Sequence, residues 1–172
     1  EDTELVNLQN SILNGEVVTR EPAYYAGGTA AAHSGQDWGN TYAEVDMSAQ
    51  HMWYVQNGQV VLETDVVTGE PIPSKITPEG VYSLMWKQPN SVLVGDINPD
   101  TGEPAYRTKV KYWMQVTSSG VGFHDATWQT AFGGTLYQIP GTGSHGCINM
   151  PLDQAGALFN MIEPGTPVIF HW

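Results

Sequence analysis

From Asn40 onward the chain is a succession of short apolar runs cut at close intervals by Gly and Pro, and this punctuation limits the fold more than any other feature. Runs this short suit strands better than core helices. Residues 42–46 (Tyr-Ala-Glu-Val-Asp) alternate apolar and polar side chains, the period that buries one face of a strand. Residues 51–55 and 59–67 flank Asn57-Gly58, a pair that tolerates the positive φ needed at both centres of a two-residue hairpin turn. Further strands are predicted over residues 80–86, 91–94, 110–116, 120–124 and 166–171, with turns at 68–71, 77–78 and 98–104. In this part of the chain, residues 151–162 alone read as a helix. Pro151 fits a first turn, Asp153 lies near the positive end, and Leu158, Met161 and Ile162 form an apolar stripe. The expected fold class is mostly β, a sandwich or barrel with one or two short helices.

Residues 1–39 read differently. Leu5, Leu8 and Ile12 recur at helical spacing and Asn14-Gly15 supplies a stop, so a short amphipathic helix is predicted, followed by an extended segment and a small, polar stretch over 27–39. One helix and a linker cannot bury a core. The expectation is therefore that residues 1–39 are the tail of a preceding domain and a linker, and that 40–172 form one domain of ordinary size. A formal charge of −12 repels phosphate backbones and argues against nucleic-acid binding. The composition, rich in Gly and poor in charge, suits an exported protein. No cationic, apolar leader is visible, and a chain that opens on Glu1 leaves any membrane anchor to be sought upstream.

There is one cysteine, Cys147, so no internal disulfide and no multi-cysteine zinc site can form. A lone cysteine is ordinarily a small buried hydrophobe. Here the flanks are Ser144-His145-Gly146 and Ile148-Asn149, approached through the Gly-rich stretch 140–143. Placed just ahead of the predicted helix, the thiol is expected to feel the positive helix terminus, which lowers its pKa. Gly146 lets a carbonyl approach the backbone closely, so the N–H groups of Gly146 and Cys147 are candidates for an oxyanion hole. His145 and the upstream His124 are candidate bases. A three-ligand zinc site from His124, His145 and Cys147 is the competing reading, although no acid is signposted to orient a ligand histidine. His33, His51 and His171 lack such settings and read as surface or packing residues.

Ser144-His145-Gly146-Cys147-Ile148-Asn149 resembles the Ser/Thr-His-Gly-Cys-hydrophobic-Asn signature of the L,D-transpeptidases, the YkuD-type catalytic domain, and His124 falls at the upper edge of that family's spacing for its upstream histidine. Flanking stretches are also similar to family blocks: residues 45–53, 64–69, 77–82 and 122–126. The likeness spans residues 40–172, and residues 15–22 resemble the exit from the domain that often precedes this one in Gram-positive members.

The resemblance implies a peptidoglycan cross-linking enzyme with no cofactor. Cys147 would attack the bond between the third residue and the terminal D-alanine of a tetrapeptide stem. The resulting thioester would pass to a side-chain amine of a neighbouring stem, giving a 3→3 cross-link. His124 would be the base, with a nearby backbone carbonyl fixing its tautomer. His145 and Ser144 would shape the site, and Asn149 would orient its loop. Trp128, Trp113, Tyr112 and Tyr137 are candidate cleft walls, and the Gly- and Pro-rich stretch 89–109 is a candidate lid. Carbapenems are expected covalent inhibitors, and the cell wall is the expected location. Two alternatives stay open. Water could resolve the thioester, making an L,D-carboxypeptidase, or the chain could be a wall-binding module with an incidental cysteine. A papain-like protease fits poorly, because its cysteine precedes its histidine in the chain.

Overall fold

A computed structural model describes residues 10, 11, 13, 14 and 38–172. In the first unit, residues 1–39, the described Asn10, Ser11 and Leu13 are helical, and Asn14 donates its N–H to the Asn10 carbonyl at 3.0 Å. The predicted helical stripe of Leu5, Leu8 and Ile12 lies outside the described residues, as does most of the predicted linker.

The second unit, residues 40–172, is mostly β. Strands β1 (Tyr42–Asp46), β2 (His51–Gln56), β3 (Gln59–Asp65), β4 (Gly80–Ser83) and β9 (Pro167–His171) make one sheet in the order β3-β2-β1-β9-β4. Strands β5 (Trp86–Val94), β6 (Arg107–Gln115), β7 (Gly122–Asp125) and β8 (Ile148–Met150) make a second, in that order. Helix α1 (Leu152–Met161) precedes β9. One buried cluster draws on both sheets and the helix: Val45, Met52 and Phe170 from the first sheet, Met114, Phe123 and Ile148 from the second, Ala155 and Leu158 from α1. Burying these apolar surfaces together is what holds the two layers in place.

The β2–β3 turn takes positive φ at both Asn57 (54°) and Gly58 (79°), the geometry expected for that dipeptide. The predicted strand over 80–86 is split. Leu84 donates its N–H to Thr166 and Met85 donates to Gln115, so the chain leaves one sheet and enters the other between them. Residues 89–109 are not a loose loop. β5 and β6 pair antiparallel from Trp86↔Gln115 to Val94↔Arg107 and confine the turn to residues 95–106. Pro89 is tolerated because β5 lies at the edge of its sheet.

Lys87 ties this hairpin to the end of α1. Its Nζ donates to the carbonyls of Phe159 (3.0 Å) and Ile162 (2.6 Å) and to the Glu163 carboxylate (3.0 Å), and lies 5.3 Å from the Phe159 ring centroid. Helix C-termini leave carbonyls without partners and carry partial negative charge, so a cation here satisfies both. Lys87→Met is expected to lower unfolding stability by about 2 kcal/mol, because charged hydrogen bonds to half-buried carbonyls are lost. The measurement is the midpoint of urea unfolding, and an unmoved midpoint would refute the clamp.

Candidate active site

Parallel pairing of β7 with β8 aligns His124 with Asn149 and places Cys147 directly before β8. This corrects the expected helix-terminal position: the three residues of β8 separate Cys147 from α1. The thiol accordingly gains no lowered pKa. Burial pushes it up to about 11, with the Gly122 backbone pulling it partly back. Its Sγ lies 3.6 Å from the Gly120 carbonyl.

His124 is buried (3% exposed), and burial holds its pKa below the ordinary histidine value. Nδ1 sits 3.0 Å from the Asp125 carbonyl. A carbonyl only accepts, so Nδ1 carries the proton and Nε2 keeps its lone pair. The Asp125 carboxylate is engaged elsewhere, accepting the N–H groups of Lys111 and Tyr112 at 2.8 Å each. The His124 ring stands between Trp113 (6.0 Å between centroids) and Trp128 (5.8 Å). The free site therefore holds a neutral thiol and a neutral imidazole. Below a thiol pKa of about 11 the thiolate fraction rises tenfold per pH unit. Iodoacetamide alkylation of the free protein should then climb by about tenfold per unit between roughly pH 7 and 10. A plateau near the ordinary thiol value of about 8.5 would refute the raised pKa.

The loop carrying the cysteine is clamped from several sides. Ser144 donates its N–H to Thr68 (2.9 Å) and accepts that of Glu70 at its carbonyl (3.0 Å). Its hydroxyl donates to the Cys147 carbonyl and accepts the Gly146 N–H at 3.0 Å. Gly146 adopts φ 118°, which disfavours any side chain there, and Thr77 holds its carbonyl at 2.8 Å. The Glu70 carboxylate receives Lys75 Nζ (2.8 Å) and the Gly141 N–H (3.1 Å), and Lys75 keeps it below the usual carboxylate range. One expectation changes here. The Gly146 N–H is committed to Ser144, whereas none of the hydrogen bonds among the described residues uses the Cys147 N–H.

A cleft of about 450 Å³ brings His124, Trp128, Ser144, His145, Cys147 and Asn149 together. Asn149 donates to Gln129 Oε1, while its own Oδ1 is buried without a partner. His145 is exposed and meets the Tyr106 ring at 5.1 Å. A second cleft, about 560 Å³, contains Trp113 and also reaches Cys147. Two expected walls lie elsewhere. Tyr137 is buried and packs on Trp172 (6.1 Å), and the half-buried Tyr112 packs on Phe159 of α1 (5.3 Å), so neither ring lines the clefts at the thiol. Sequence reasoning missed Tyr106, Leu93 and Gln129, all of which line the first cleft. Nothing local marks them, since pairing and packing bring them in. Among the described residues no group of three or more His, Cys, Asp or Glu side chains is placed to hold a metal.

The YkuD family, described as the L,D-transpeptidase catalytic domain, matches residues 40–170. L,D-transpeptidase 1 of Mycobacterium tuberculosis is 30% identical over 126 residues, covering 71% of this chain and 47% of that protein. A crystal structure of an Enterococcus faecium L,D-transpeptidase cysteine-to-serine mutant superposes with a TM-score of 0.71 at 42% identity, covering 99% of this chain and 64% of that one. The catalytic domain of an E. faecium L,D-transpeptidase acylated by ertapenem superposes with a TM-score of 0.64 at 46% identity, covering 77% and 97%. The chain thus spans less than half the length of the curated relative.

Proposed function

The chain belongs to the L,D-transpeptidase catalytic-domain family, and from that premise we propose that it is a peptidoglycan L,D-transpeptidase working through Cys147. The observation that carries this reading is the cleft in which Cys147 and a tautomer-locked His124 face the same space. With the thiol pKa raised and the histidine pKa lowered, the resting pair is neutral, so the thiol loses its proton to His124 Nε2 as sulfur attacks the carbonyl of the third stem residue. The Cys147 N–H supports the developing oxyanion. The C–N bond to the terminal D-alanine breaks, His124 protonates that amine, and a thioester remains. A neighbouring stem's side-chain amine then attacks the thioester. Its proton passes to His124 and on to the departing sulfur, and a 3→3 amide is left.

Trp128 and Asn149 bind the donor stem in the first cleft, Trp113 lines the second, and His145 and Ser144 shape the loop. Residues 40–172 are the catalytic unit, and 1–39 the end of a preceding domain with its linker. The protein works outside the cell at the wall. Among the described residues no helix is long and apolar enough to cross a membrane. Carbapenems acylate Cys147, as an E. faecium relative is acylated by ertapenem. The −12 charge continues to argue against nucleic-acid partners.

The test is incubation with disaccharide tetrapeptide stems followed by mass spectrometry. Dimers lacking one D-alanine are expected. Tripeptides alone would make the protein an L,D-carboxypeptidase, and neither product would leave a wall-binding module.

A further inference from the structure

Leu93, Tyr106 and Cys147 are shared by the two clefts that meet at the thiol. Tyr106 stands at the foot of the β5–β6 turn, half-buried, with its carbonyl accepting the Gly95 N–H at 3.0 Å. Its ring lies so close over Gly95 that a Cβ there would fall 2.6 Å from the ring carbons. The ring also meets His145 of the cysteine loop, with 5.1 Å between ring centroids. The hairpin thus reaches across to the nucleophile's own loop through one aromatic contact. None of the hydrogen bonds among the described residues uses the Tyr106 hydroxyl.

We propose that the Tyr106 ring is a partition between the two clefts, and that it sets whether an acyl group on Cys147 is resolved by an amine or by water. This rests on Cys147 carrying the acyl group, as proposed above. Both fates break the same C–S bond. An amine nitrogen forms an amide and a water oxygen forms an acid, and in each case the nucleophile's proton ends on the sulfur. The outcome depends on which nucleophile can reach the carbonyl. A ring wedged between Gly95 and His145 closes the space beside the thioester to bulk solvent while each cleft keeps its own mouth. The gap that replaces it on truncation widens the junction of the clefts at the thiol and admits more water beside the carbonyl. Tyr106 is a positioning residue: it takes no proton and forms no bond, and its ring alone is required.

The experiment uses the full chain with Tyr106→Ala, Tyr106→Phe and Gly95→Ala, the last chosen because its methyl group displaces the ring without removing it. In one arm Cys147 is acetylated with p-nitrophenyl acetate, and loss of the acetyl group to water is followed by mass spectrometry. In the other, tetrapeptide stems are supplied and the dimer-to-tripeptide ratio is read. Tyr106→Ala and Gly95→Ala are expected to speed deacetylation by about fivefold or more and to lower the ratio by a similar factor. Tyr106→Phe should stay with the parent in both arms. Unchanged deacetylation in folded alanine variants, or a phenylalanine variant that behaves like alanine, overturns the proposal. A parent protein that is acetylated but makes nothing from tetrapeptides overturns the transpeptidase reading, and the deacetylation arm still decides the role of Tyr106.

Discussion

Cys147→Ala is expected to abolish turnover of tetrapeptide stems, a loss on the order of 10⁴-fold or more, and to end all mass gain with a carbapenem. The size follows from covalent catalysis: without the sulfur there is no acyl intermediate, and His124 has no proton to take. The fold should survive. The residue sits at the mouth of β8 and is absent from the buried apolar cluster, so truncation removes little packing. Thermal melting of the variant, measured beside intact-protein mass spectra after carbapenem incubation, separates loss of chemistry from loss of structure. A carbapenem adduct that persists in a folded Cys147→Ala protein would move the nucleophile elsewhere and sink the mechanism.

His124→Ala comes next in size, with carbapenem acylation expected to slow by about 10²- to 10⁴-fold, the usual range for a positioned general base. The pH profile carries more information than the rate. Burial lowers the His124 pKa, so its neutral, proton-accepting form persists as pH falls past the ordinary histidine value of about 6.5. The acid limb of the parent's acylation profile should lie below that value and vanish in His124→Ala. Exposed His145 is the control, because it meets Tyr106 rather than an enforcing carbonyl. An acid limb unchanged in His124→Ala but lost in His145→Ala would exchange the two roles.

Much of the architecture is legible in the sequence where the signal is local. Asn57-Gly58 specifies its turn by backbone geometry within two residues, and the alternation in Tyr42–Asp46 anticipates which side chains are buried in β1. β8 was not legible. Its three residues pair in parallel with β7 across the long stretch from Ala126 to Cys147, and so short a strand carries no pattern of its own. Its omission is what put Cys147 at a helix terminus in the sequence-based expectation. The switch between sheets at Leu84-Met85 was hidden for a related reason: a strand's period says which face is apolar and never which sheet it joins.

The sequence by itself determined the chemistry-bearing groups: one thiol, its Ser-His-Gly-Cys-Ile-Asn setting, an upstream histidine, and a β framework closed by one helix. Their identities and order are covalent facts, and turn and helix preferences act over a few residues. The tertiary structure alone decided how those groups behave. It buried the imidazole and set the half-buried thiol in a desolvating cleft, moving both pKa values toward neutral forms, and it gave the Asp125 carbonyl rather than a carboxylate to His124. It also committed the Gly146 N–H to Ser144 and brought Tyr106 from a distant hairpin to the thiol. Desolvation and contact depend on atoms gathered from remote parts of the chain, and no local run of residues encodes that gathering.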